Sequence, residues 1–190
     1  MISGTHTYIR SAEPDDAPVL FAAYDLERPR SCLLDGKREP LIPTRDELRE
    51  VLGRKEAAQG TFYAVEDSAG RVRGFCGLRG VNPEACFGEV YFLLLDEEDY
   101  GRPLAGEVFA FVCGRAFARL GLHKVVAHAL DSEVALRAFL VAHGFESGGI
   151  QREAVYARGR RHHLETFSLF ADAVPKNTAG PGCSVAAAEG

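Results

Sequence analysis

The clearest chemical signal in the chain lies in residues 90–106. There an apolar, strand-like run from Val90 to Leu95 passes through the polar stretch 96–102 and straight into a long helical pattern that opens at Pro103. Such a junction aims the unpaired amides and partial positive charge of a helix N-terminus at whatever binds above the strand end, which makes it a site for an anion. Other sources of chemistry find no support. No G-x-S-x-G nucleophile elbow and no G-x-x-x-x-G-K-[ST] phosphate loop occurs. His162 and His163 are adjacent, so on a strand they point to opposite faces and cannot share an ion, and no metal is expected. Cys32, Cys76, Cys86, Cys113 and Cys183 form no CxxC, and three of them sit inside apolar runs, as buried free thiols do.

The elements that must carry this junction alternate along the chain. Residues 7–11 read as a short strand, and Asp15 or Asp16 can cap a helix that runs through Tyr24. Residues 25–43 hold Pro29, Pro40 and Pro43 with four basic residues, and read as a long loop of the kind that serves function. Thr44 and Glu47 form a capping-box pattern that opens a helix to about Gln59, with Gly60 as its stop. Residues 61–66, 72–81 and 87–95 are β-rich runs joined by short turns at 67–70 and around Asn82-Pro83, which predicts an antiparallel meander. The spacing predicts a helix over 103–120, with Gly121 ending it, then a strand over 124–130 and a second amphipathic helix over 133–143 ending at Gly144. Strands at 151–157 and 163–170 flank a turn at 158–160. This order makes an α/β domain with a mixed sheet covered by helices.

The 190 residues form one domain, here bounded at 1–172, and the Pro- and Gly-bearing segment 173–190 lacks the apolar surface to order itself and is expected to be a disordered tail. The apolar runs are far shorter than the roughly 18 residues of a membrane span, and the first 20 residues carry Arg10, Glu13, Asp15 and Asp16 without a signal-peptide core. We expect a soluble, cytoplasmic protein with no membrane partner. A formal charge of −5 offers no basic field for phosphate backbones, so nucleic acid is not expected as the main partner.

The segment from Ala118 to Leu169, ARLGLHKVVAHALDSEVALRAFLVAHGFESGGIQREAVYARGRRHHLETFSL, resembles the GNAT superfamily of N-acetyltransferases. Its sequence of helix, "LGLHKV" strand, helix ending in "GF", "REAVY…GRRH" and final strand is similar to the branch of ribosomal-protein N-terminal acetyltransferases, and the likeness extends over residues 7–171. The resemblance implies a mostly antiparallel central sheet flanked by helices, with two neighbouring strands splayed to form a donor cleft. It implies acetyl-coenzyme A or another acyl-coenzyme A as donor substrate, its pyrophosphate on the loop before the long helix. That loop departs from the family pattern. Within Tyr100-Gly101-Arg102-Pro103-Leu104-Ala105, Gly101 and Ala105 fit, whereas Tyr100 stands where Arg is usual and Pro103, which has no N–H, where a small glycine is usual. Glu133 and Leu136 replace an Asn and a Ser, and Leu140 stands where other branches place a Tyr. The loop is degenerate, and two or three lost contacts at about 1.5–3 kcal/mol each weaken coenzyme A by some thousandfold unless Arg102, loop amides or Arg137 substitute.

The reaction implied is attack of a neutral amine on a thioester, aided by a base and by strand-end amides. By position, Glu89 and Glu133 are the candidate bases, the amides of Leu93, Leu94 and Leu95 the carbonyl polarisers, and Tyr91, Arg152 and His162 the acceptor side. Tyr100, Gly101, Arg102, Leu104 and Ala105 complete the donor site. The expected protein is an acyltransferase acting on an amine of a small molecule or peptide. Two alternatives stay open: a carrier-protein thioester or aminoacyl-tRNA as donor, and a non-catalytic binding module of the same fold. A homodimer is also left open.

Overall fold

The computed structural model describes residues 2–24, 31–33, 43–53 and 60–174. Its β-rich runs join in one eight-stranded sheet ordered β1-β2-β3-β4-β5-β6-β8-β7. The strands are β1 (Ile2–Ser3), β2 (Thr7–Ser11), β3 (Gly60–Asp67), β4 (Val72–Asn82), β5 (Phe87–Leu94), β6 (Lys124–Leu130), β7 (Glu146–Ala157) and β8 (Arg160–Phe170). Short turns leave β3, β4 and β5 only an antiparallel arrangement. At the turn after β4 the Ala85 N–H donates to Asn82 Oδ1 at 3.0 Å. The long crossover between β5 and β6 permits a parallel pairing of these two strands.

Among the described residues, four α-helices cover the two faces. The helices α1 (Ala17–Tyr24) and α2 (Arg45–Gly53) pack Leu20 and Leu48 on Ala64, Phe75 and Leu93. On the other face α3 (Pro103–Cys113) and α4 (Val134–Ala142) pack Leu104, Val108 and Phe139 on Val65, Cys76, Phe92 and Leu94. Period-two alternation along β5 therefore sends Val90, Phe92 and Leu94 to one helical layer and Leu93 to the other. The expected capping box is formed: the Thr44 N–H and hydroxyl both donate to Glu47 Oε2, and the Glu47 N–H donates to Thr44 Oγ1 at 3.2 Å.

Several boundaries differ from the sequence reading. Gly60, expected to stop a helix, is the first residue of β3, and residues 54–59 lie outside the described part. Of the expected loop 25–43, the described residues are Pro43 and a 3-10 turn at Ser31–Leu33. The helix expected over 103–120 keeps α-geometry to Cys113 and continues as a π-segment, Gly114–Arg119, in which the Leu120 N–H reaches back five residues to Arg115 O at 3.0 Å. Gly121, with φ +63°, then turns the chain as a C′ residue does. β7 begins at Glu146 rather than Gln151, with Gly148-Gly149 absorbed as a bulge against β8, Gly149 at φ +126°, and β8 begins at Arg160 rather than His163, since Arg160 already pairs with Ala157. A 3-10 turn at Ala171–Ala173 closes the described chain, and residues 175–190 of the expected tail lie outside it. Among the described residues, no helix is long and apolar enough to cross a membrane.

One feature of the sheet positions everything functional. β5 and β6 pair only at Phe87–Lys124, Gly88–Val125 and Glu89–Val126. Beyond that point β5 follows β4 out to the Gly74–Leu94 pair, and β6 follows β8 out to Leu130–Leu164. Each strand keeps its outer neighbour, and a gap opens between them.

Candidate active site

The gap holds a cavity of about 10 Å3, room for roughly one water, lined from both faces of the sheet. Val90, Phe92, Ala127 and Leu136 form its apolar side, while Arg79, Glu89, Tyr91, His128 and Ser31 form its polar side. Arg79 and Glu89 stand directly opposite one another in the β4–β5 register and form an ion pair. The Arg79 guanidinium also lies over the Tyr91 ring, 5.8 Å from its centroid.

His128 is the first residue of β6 beyond the paired stretch whose side chain shares the face of Val126. Its Nδ1 hydrogen-bonds Thr166 Oγ1 at 3.1 Å, and its carbonyl accepts the Ser31 hydroxyl at 2.8 Å. Among the described residues its Nε2 has no hydrogen-bond partner. Burial lowers the His128 pKa below the usual histidine value; Glu89 pulls it upward and Arg79 pushes it down, with a net lowering.

Glu133 stands at the N-cap of α4, 6% exposed. Its Oε2 accepts the Leu130 N–H and its Oε1 the Ser31 N–H, both at 2.8 Å. The carboxylate thus pins the Ser31 turn to the end of β6, beside the cavity rather than in its lining.

The loop before α3 is equally committed. Tyr100 is 8% exposed, its ring 5.6 Å from that of Phe139. Its hydroxyl donates to Phe92 O at 2.7 Å and accepts the Leu94 N–H at 3.2 Å, so it answers the edge of β5 as a neighbouring strand would. The Leu95 N–H donates to Arg73 O at 2.9 Å, and the Leu93 side chain is buried against α1 and α2. Arg102 donates to Asp99 Oδ1 at 2.8 Å and to Glu98 Oε2 at 3.2 Å. Asp99, 1% exposed, also takes Arg73 at 2.7 Å. Pro103 opens α3, Leu104 and Ala105 are buried in its first turn, and the Ala105 N–H already donates to Arg102 O at 3.0 Å. Gly101, by contrast, has open space where a side chain would stand. A diphosphate would find the loop's cation matched by acids; Arg102, half-exposed, could exchange one anion for another only at the cost of those contacts. Arg137 is likewise engaged, with Glu165 at 2.6 Å.

The sequence-predicted residues thus divide. Glu89 and Tyr91 meet in the cavity; Arg152 is exposed on β7, and His162 is buried with Nδ1 3.0 Å from Asp131 Oδ1 and Nε2 3.2 Å from Arg160 Nε. Neither of the latter two lines the cavity. Sequence reasoning missed Arg79, His128 and Ser31. A signal existed for His128, a single imidazole breaking the apolar strand KVVAHAL, and for Arg79, which any antiparallel pairing of its hairpin brings near Glu89. Among the described residues, no group of three or more His, Cys, Asp or Glu side chains could hold a metal ion.

The family described as "Acetyltransferase (GNAT) domain" matches residues 6–146. No curated protein matches the sequence. Among solved structures, a probable acetyltransferase aligns at 22% identity with TM-score 0.75 over 89% of this chain and 95% of its own. The dodecameric spermidine N-acetyltransferase from Vibrio cholerae aligns at 18% identity with TM-score 0.73 over 89% and 96%. At these identities the structural likeness speaks for the fold.

Proposed function

Because this chain belongs to the GNAT acetyltransferase family, we propose that it moves an acetyl group, or another acyl group, from a thioester to an amine across the gap between β5 and β6. The observation that carries this is the cavity in that gap, apolar on the α3–α4 side and bearing Glu89, Tyr91 and His128 on the other. An acyl thioester entering along the apolar side would meet an amine on the polar side, and both reactants would be held in attack geometry by one sheet. Glu89, sharing its carboxylate between Arg79 and the acceptor, offers negative charge to an incoming ammonium. An amide-bearing donor arm would pair with Phe92 O and the Leu94 N–H once the Tyr100 hydroxyl yields them. Acetyl-coenzyme A is the simplest such donor.

The acceptor we propose is an amine of a small molecule or peptide. One solved neighbour is a spermidine N-acetyltransferase, and the resemblance of residues 118–169 to ribosomal-protein N-terminal acetyltransferases points to a peptide α-amine. The carboxylates that hold Arg102 favour a second reading in which the donor's bulk, a carrier protein or an aminoacyl-tRNA, binds elsewhere.

Thermal unfolding with 1 mM acetyl-coenzyme A tests the first reading. A dissociation constant near 10 μM stabilises by about 2.7 kcal/mol. That corresponds to a rise of roughly 5–10 °C in Tm for a chain of this size. Thiol release should then be seen with spermidine or a short peptide bearing a free N-terminus. No shift with acetyl-coenzyme A, together with turnover from a carrier-protein thioester or an aminoacyl-tRNA, would transfer the assignment to the second reading.

A further inference from the structure

We propose that His128 is the catalytic base, taking the acceptor's proton at Nε2. This rests on the acyl-transfer reading above and assigns the proton step to a residue of β6. Four charged or polar groups face the imidazole: Arg79 from β4, Glu89 and Tyr91 from β5, and Thr166 from β8, with the Ser31 turn closing over its backbone. The two carboxylates that sequence nominates for this task are already engaged, Glu89 by the guanidinium opposite it and Glu133 by two backbone amides. Of the histidines, His128 alone lines the cavity among the described residues. Thr166 holds one ring nitrogen, and the tautomer with a proton on Nδ1 leaves a lone pair on Nε2. Burial keeps the ring neutral near pH 7, the form a base requires.

The ammonium of the acceptor gives one proton to Nε2, and the neutral nitrogen attacks the thioester carbonyl carbon. The C–N bond forms and the C–S bond breaks. The second proton leaves the nitrogen with the departing thiolate, giving the amide and the free thiol, and His128 returns its proton to water.

The experiment is the pH dependence of kcat/KM with acetyl-coenzyme A and the faster of spermidine or a short peptide, beside NMR titration of the His128 ring in the unliganded protein. The acid limb should coincide with the ring's titration, at a midpoint below 6.5. Glu89→Gln should move both lower, and Arg79→Gln should move both higher, since these side chains pull in those directions. His128→Asn should lose at least about a hundredfold in kcat/KM and the limb with it, while acetyl-coenzyme A binding by calorimetry stays within twofold. A His128→Asn protein with a wild-type limb and rate overturns the proposal, as does a ring titration that does not follow the wild-type limb, a measurement independent of how any variant folds. Wild-type protein that binds acetyl-coenzyme A but turns over no amine overturns the acyl-transfer reading instead, and the base assignment falls with it.

Discussion

Tyr100 shows how one side chain can serve a fold and oppose a ligand. Aligned by sequence it is a loop residue standing where an arginine is usual, which suggests replacing it with one. In the structure its hydroxyl satisfies Phe92 O and the Leu94 N–H at the edge where β5 has lost its neighbour. An arginine there would bury a charge and remove the hydroxyl that both groups share. Tyr100→Phe is the informative change. It removes the bridging hydroxyl that answers Phe92 O and the Leu94 N–H, so the free protein should lose about 1–3 kcal/mol by chemical denaturation. The same groups become available to an amide-bearing arm, so acetyl-coenzyme A should bind tighter by calorimetry. Lower stability with weaker binding would mean that the hydroxyl helps the donor rather than competing with it.

At the scale of elements, Glu133 holds a turn to a strand and a helix. Its position at the first turn of α4 is favourable to the helix dipole on sequence grounds alone. Which amides it reaches could not be read, because Ser31 is 102 residues away along the chain. Two charge-assisted bonds in a buried setting set the expected effect of Glu133→Ala at about 3 kcal/mol of stability. The Ser31 turn, which lines the cavity, should loosen and raise the acceptor KM more than it lowers kcat. A variant of undiminished stability whose kcat falls a thousandfold would instead make Glu133 the base. The contrast with Thr44 and Glu47 is instructive: that capping box was legible because every partner lies within three residues.

The whole molecule is tied together by carboxylates, two of which bridge segments far apart in the chain. Glu107 on α3 accepts the Thr5 and His6 N–H groups and the Thr7 hydroxyl, Asp16 takes Arg10 and the Glu13 N–H, and Glu165 takes Arg137 and Ser147. Burial raises the pKa of each, but the hydrogen bonds outweigh it and hold all three below the usual carboxylate range. A carboxyl with a lowered native pKa contributes fully above its unfolded value, 3.8 for Asp16 and 4.5 for the two glutamates, and the contribution disappears as pH falls through the native value. His128, also lowered, adds a loss that begins below 6.5, where the unfolded chain gains a proton first. Urea unfolding across pH should therefore show a shallow decline below about pH 6.5 and a steep one below about pH 4. Glu107→Gln should flatten the steep limb; an unchanged limb would show that this bridge does not open in acid.

The order of strands and helices from residue 7 onward, the meander and the Thr44–Glu47 capping box were settled by the sequence, because each depends on residues a few positions apart, whereas Asp16, read as a helix cap, lies in a 3-10 turn capped by Glu13. Residues 146–150, left out of the strands by the sequence reading and found inside β7 around a bulge at Gly148-Gly149, mark the limit of that logic, since a bulge needs a partner strand to define it. The junction before α3 was legible as an element and not as a binding surface: Tyr100 closes on Phe92 and Leu94 of β5 and Arg73 of β4 takes Asp99, partners fixed only when the sheet forms. The place where β5 and β6 part is a property of neither strand, because each follows its outer partner. Tertiary structure alone put His128 beside Glu89 and Arg79, for a strand pattern fixes the face a side chain takes and not the neighbour it meets there.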